Sequence, residues 1–228
     1  MKVTPGTLLL VFFLLLSLAG CATPNYGLKP APVPFQSSST MGDIEYINET
    51  GRSANLSVAA DVDDFLKSKY LIVVLIVSNT SGSALDLGYD SVELQCGGLD
   101  AERPVASLEP ESLVAKFSAQ RRSGESSRGW GTFFQALASA HHDPGANADY
   151  GKVSQSINTG ATASRLRSQE ESQMIRGLDR LLIRRCQVLS GTKKGGVVFF
   201  PFSKSELYKV RVRIAEETHE FQFRLRTY

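Results

Sequence analysis

The chain has 228 residues, 42% of them hydrophobic and 21% charged, with a formal net charge of +2. That length suits one sizeable domain, and the balance is that of an ordinary globular protein, not of a disordered or collagenous one. The near-neutral charge gives no reason to expect a nucleic-acid partner. Three cysteines are present, Cys21, Cys96 and Cys186.

In chain order, Lys2 precedes an unbroken apolar run, Leu8–Leu16, which leads to the small residues Ala19 and Gly20. This is the layout of a secretory signal. The run is too short for a membrane span, which needs roughly 20 residues. Leu18-Ala19-Gly20-Cys21 resembles the lipobox of bacterial lipoproteins. The resemblance implies removal of residues 1–20, a lipid thioether on Cys21 and an acylated Cys21 amine. Roughly two acyl chains suffice for stable anchoring, so the two of a diacylglyceryl thioether and one on the amine would hold the protein permanently. Ala22 follows the cysteine in place of the Asp that retains many lipoproteins at the inner membrane. An outer-membrane, periplasm-facing anchor is therefore expected, with the inner membrane as the alternative. Loss of Lys2 with the leader leaves a formal charge of +1.

An oxidising compartment follows from such a leader. Cys96 and Cys186 could then form a disulfide, whose loop of about 90 residues would contribute roughly 4–5 kcal/mol in the chain-entropy model. The alternative is two buried thiols, since free cysteine packs as a small hydrophobe.

Residues 21–42 read as a lipid-anchored flexible linker. Pro24, Pro30, Pro32 and Pro34 stiffen it, and the serines from Ser37 loosen it. The domain is expected over 43–228. Residues 44–48 suit a short edge strand. Leu56, Val58 and Ala60 alternate with polar neighbours, as in a half-buried strand. Tyr70–Val77 is apolar and β-branched throughout, which predicts a strand covered on both faces. Ser91–Cys96 alternates again, and Pro104–Leu108 suits one more strand.

From Glu109 to Leu189 the period becomes helical. Trp130, Phe133, Phe134 and Leu137 fall near helical spacing. A long helix is expected over about 161–186, with Met174, Ile175, Leu178, Leu181 and Leu182 on one face. The Gly191–Gly196 stretch reads as a flexible connector. It lacks phosphate-loop spacing and leads into a strand rather than a helix. Strands return at Val197–Phe202. A hairpin follows, with Val210, Val212 and Ile214 and then Phe221, Phe223 and Leu225 alternating with polar residues.

These strands resemble the immunoglobulin-like β-sandwich of certain bacterial lipoproteins and telokin-like extracellular domains. The resemblance covers about 44–108 and 187–228. It rests on Tyr70–Leu94 with its Asn79-Thr80-Ser81 turn, and on Gly196–Pro201 with the strand pair after it. It implies a mainly β fold with an α insertion (α+β): an antiparallel sandwich plus a helical segment at 109–189. It also implies a binding or structural role, with no catalytic residues to carry over.

Two surfaces are candidates for that role. Lys209, Arg211, Arg213, Arg224 and Arg226 form a basic face, suited to anionic envelope polymers or else paired with carboxylates on a neighbouring strand. Trp130, Phe133 and Phe134 suit an exposed aromatic patch or core packing. His141-His142-Asp143 cannot chelate in the manner of an i, i+4 pair, because adjacent helical side chains point apart. No metal and no cofactor are expected. The expected function is a non-enzymatic, membrane-anchored periplasmic module with an envelope protein partner. The alternative is an envelope enzyme with its site in the helical insertion.

Overall fold

The computed structural model describes residues 26–41, 44–62, 70–97, 102–122 and 176–227. One five-stranded sheet has the order β1-β12-β11-β7-β8. Its strands are β1 (Tyr26–Pro30), β7 (Val92–Gly97), β8 (Glu102–Val105), β11 (Leu207–Ile214) and β12 (Glu217–Thr227). The other has the order β10-β5-β4-β3-β2. It contains β2 (Ser37–Met41), β3 (Ile44–Thr50), β4 (Ala54–Val62), β5 (Tyr70–Asn79) and β10 (Lys193–Pro201). The short strands β6 (Leu85–Leu87) and β9 (Cys186–Val188) pair with each other. All of these strand pairings are antiparallel.

The two large sheets face each other across one core. Leu71, Val73, Leu75 and Val77 of β5 meet Val210, Val212, Phe221 and Phe223 of the opposite sheet within it. The other phase of β5, Tyr70, Ile72 and Val74, is buried in a second cluster with Val197, Phe199, Leu113, Phe117, Leu178 and Leu181. β5 is therefore covered on both faces, as its unbroken apolar run requires. The second cover is helical. Helix α1 (Pro110–Arg122) opens with proline, whose missing N–H is no loss in a first turn. It buries Leu113 and Phe117, one turn apart. The rings of Tyr70, Phe117 and Phe199 meet edge to face at 5.9–6.2 Å. Complete burial of each such side chain contributes about 1.5–3 kcal/mol.

Several expectations are corrected. First, residues 26–41 are not a tether. β1 pairs along its whole length with β12, from Tyr26 opposite Thr227 to Pro30 opposite Phe223. β2 pairs Ser37–Met41 with β3. Edge strands need backbone partners more than apolar side chains, so serine-rich and proline-bounded segments can complete a sheet.

Second, the helix expected to reach Cys186 ends earlier. Residues 176–181 are helical, and Leu178, Leu181 and Leu182 are buried as their spacing predicts. Leu182 then bridges Val197, and the Ile183 amide donates to the Val197 carbonyl at 3.0 Å. Cys186–Val188 continue as β9. Gly196 permits this crossing: a Cβ there would lie 2.5 Å from the Leu181 carbonyl oxygen and 2.6 Å from Ile183 Cγ1. Gly195 and Gly196 thus belong to β10 with Lys193 and Lys194, not to a flexible connector.

Third, of the two alternatives for Cys96 and Cys186, the bond is not formed; both are free thiols. Cys96 ends up on β7 opposite Tyr208, while Cys186 pairs with Leu87 in the small sheet. Burial pushes the Cys96 thiol up from its ordinary value, which makes it less reactive.

Candidate functional site

The outer face of the β1-β12-β11-β7-β8 sheet carries the basic residues. Antiparallel register places Arg211 opposite both Glu220 of β12 and Glu93 of β7. Arg211 Nε lies 3.0 Å from a Glu220 oxygen, and Lys209 Nζ lies 3.9 Å from the other. Arg213 pairs with Glu93 at 2.7 Å. Three of the five basic side chains therefore have carboxylate partners on neighbouring strands, Lys209 and Arg211 sharing Glu220, which eases the repulsion their sequence spacing suggests. Such exposed pairs contribute at most about 1 kcal/mol each.

Arg224 and Arg226 differ. They are exposed near the end of β12, where Lys29 of β1 sits opposite Arg224 and Gly27 opposite Arg226. Among the described residues, none of Lys29, Arg224 and Arg226 has an ion-pair partner. Lys204 joins this corner, its Nζ 5.4 Å from the centre of the Tyr26 ring. Tyr26 contacts Phe202 at 5.6 Å, and Phe202 stacks on Tyr208 at 6.3 Å. Tyr208 is rigidly held. Its hydroxyl donates to the Ser203 carbonyl and accepts from the Ser205 amide, both at 2.9 Å. Burial pushes its phenol up to about 12, against the opposing effect of the Ser205 amide. Tyr26 and Lys29 fall in the segment expected to be a tether, and Lys204 falls between two expected strands, so the sequence did not mark them as candidates. Proximity to β12 comes only from pairing between residues almost 200 positions apart.

The opposite end of the sandwich holds a polar cluster. His219 is 4% exposed. Its Nδ1 lies 2.7 Å from Glu49 Oε1 across the sheet interface, and its Nε2 lies 3.8 Å from Glu217 Oε2. Gln36 donates to the other Glu49 oxygen at 2.6 Å and to the Glu220 carbonyl at 2.7 Å. Glu217 accepts from the Arg52 and Ser53 amides at 2.9 Å and from the Ser53 hydroxyl at 2.6 Å, closing the β3–β4 turn. These donors, the Ser53 hydroxyl foremost, hold the Glu217 carboxyl below its ordinary range. Gly51 is required here, since a Cβ would lie 2.6 Å from His219 Cε1.

A serine, a histidine and two glutamates together invite comparison with a hydrolase. In that mechanism the serine hydroxyl must bond to the imidazole that deprotonates it. Here Ser53 donates to Glu217 instead, and carboxylates face both ring nitrogens. The arrangement locks a turn and joins two sheets. Its sequence signal was available, because His219 shares the inward phase of Phe221 and Phe223.

Cys21, Trp130, Phe133, Phe134 and His141-His142-Asp143 lie outside the described residues. Among the described residues, no group of three or more His, Cys, Asp or Glu side chains is placed to hold a metal ion. No helix among them is long and apolar enough to cross a membrane. No family model, no curated protein and no solved structure matches this chain.

Proposed function

We propose that the protein is a lipid-anchored envelope lipoprotein whose β-sandwich serves as a non-catalytic binding or assembly module facing the periplasm. The observation that carries this reading is the Leu18-Ala19-Gly20-Cys21 motif behind a short apolar leader, with the first strand starting at Tyr26. A domain that begins five positions after its anchor presents its surfaces to neighbouring envelope molecules. An immunoglobulin-like sandwich is supported by the antiparallel sheets and by Tyr208. Its hydroxyl bonds back to the Ser203 carbonyl, as a tyrosine corner does in that fold. The outer membrane is favoured by Ala22 after the cysteine.

The test is metabolic labelling with a palmitate analogue, followed by envelope fractionation. The native chain should incorporate label, lose its leader and sediment with membranes. Cys21→Ser should stay unlabelled with its leader uncut. A native chain that carries no label would overturn the reading. Cross-linking in cells, followed by identification of the captured protein, then addresses the partner.

A further inference from the structure

We propose that the corner formed by Tyr26, Lys29, Phe202, Lys204, Arg224 and Arg226 docks the domain onto anionic phospholipid headgroups of the bilayer that holds Cys21. This rests on the lipid-anchor reading above. Chain length selects the surface. Tyr26 follows Cys21 by five positions, so it lies within at most about 18 Å of the anchor. β5 has 10 residues, which makes the sandwich roughly 33 Å long at 3.3 Å per residue. The anchor therefore reaches the Tyr26 end, while the end bearing Gly51, Ser53 and Glu217 lies beyond it.

Strand pairing assigns further groups to the near end. Tyr26 opposes Thr227, Arg224 opposes Leu207, and Leu207 opposes Gly97. Lys29, Lys204, Arg224 and Arg226 are all exposed there. Acidic side chains described at this end are Asp61, whose carboxylate accepts from the Leu28 and Val62 amides, and the exposed Glu45 and Glu206. The cations are in excess, and they sit beside two half-buried aromatic rings, the pairing of side chains that suits a headgroup layer. The paired residues Lys209, Arg211 and Arg213 contribute less, because Glu220 and Glu93 offset two of their three charges. Each unpaired basic side chain close to an anionic membrane strengthens contact by about fivefold.

The test uses the full lipidated protein in nanodiscs of phosphatidylcholine alone or with phosphatidylglycerol, read by amide hydrogen exchange. With phosphatidylglycerol, amides of 26–29 and 202–206 should slow relative to phosphatidylcholine, and high salt should reverse the effect. Lys204→Glu with Arg226→Glu should weaken the docked state by more than about tenfold and abolish the slowing. Lys194→Glu, on the far half of β10, should leave it intact. Exchange in 51–54 reports that each variant is folded. Equal exchange in both lipids, for a protein whose intact mass shows the acyl chains, overturns the docking alone. A mass without acyl chains overturns the anchor and the docking together.

Discussion

His219 Nδ1 sits 2.7 Å from Glu49 Oε1 and ties β12 of one sheet to β3 of the other. The two side chains are 5% and 12% exposed, so neither is solvated well enough to lose its partner cheaply. An Nδ1–H donating to the carboxylate satisfies both groups, and Gln36 satisfies the remaining Glu49 oxygen.

Removing one partner should cost more than replacing both. His219→Ala strands a nearly buried carboxylate and should lower stability by roughly 2–4 kcal/mol in urea denaturation. His219→Phe combined with Glu49→Leu should recover most of that loss, since an apolar pair needs no hydrogen bonds. Additive losses in the double variant would show that the two residues act independently.

Glu217 predicts an acid limb to stability. Its folded pKa is lowered from 4.5 by the Ser53 hydroxyl first, then by the backbone amides of Arg52 and Ser53. A depressed carboxyl contributes stability that is present above the unfolded value and is lost as pH falls through the folded one. Denaturation midpoints of native protein and Glu217→Gln should therefore differ most at neutral pH and converge at acid pH below the ordinary carboxyl range. An NMR titration should show Glu217 moving back toward that range in Ser53→Ala.

Gly196→Ala should loosen the helical layer from the sheet. The new methyl meets the Leu181 carbonyl, a backbone atom that no rotamer change can move aside. The expected loss is about 1–3 kcal/mol, as for other overpacked sites. Exposure of Val197 and Phe199 should also raise binding of an apolar dye. Gly82→Ala, where a Cβ meets nothing within 4 Å, should change neither measurement.

The strands that bury one face were legible in the sequence. Val210, Val212 and Ile214, then Phe221 and Phe223, alternate with polar residues, and all five are buried. The two-sided burial of β5 and the inward face of Leu178, Leu181 and Leu182 were legible for the same reason: apolar periodicity reports burial directly. The edge strands β1 and β2 were not. Their stabilisation comes from backbone hydrogen bonds, which depend little on the side chain, so Ser37-Ser38-Ser39-Thr40 leaves no trace of its pairing with β3.

By itself the sequence determined which segments must hide a face, because that depends only on the order of apolar and polar side chains along the chain. The motif behind the proposed leader is equally local, and the proposed address rests on it alone. Only the tertiary structure decided which charges are cancelled and which stand open. Register across strands puts Glu220 and Glu93 beside Arg211 and Arg213 but puts Lys29 beside Arg224. Opposition of that kind is set by long-range pairing, and a slip of one residue would change every partner.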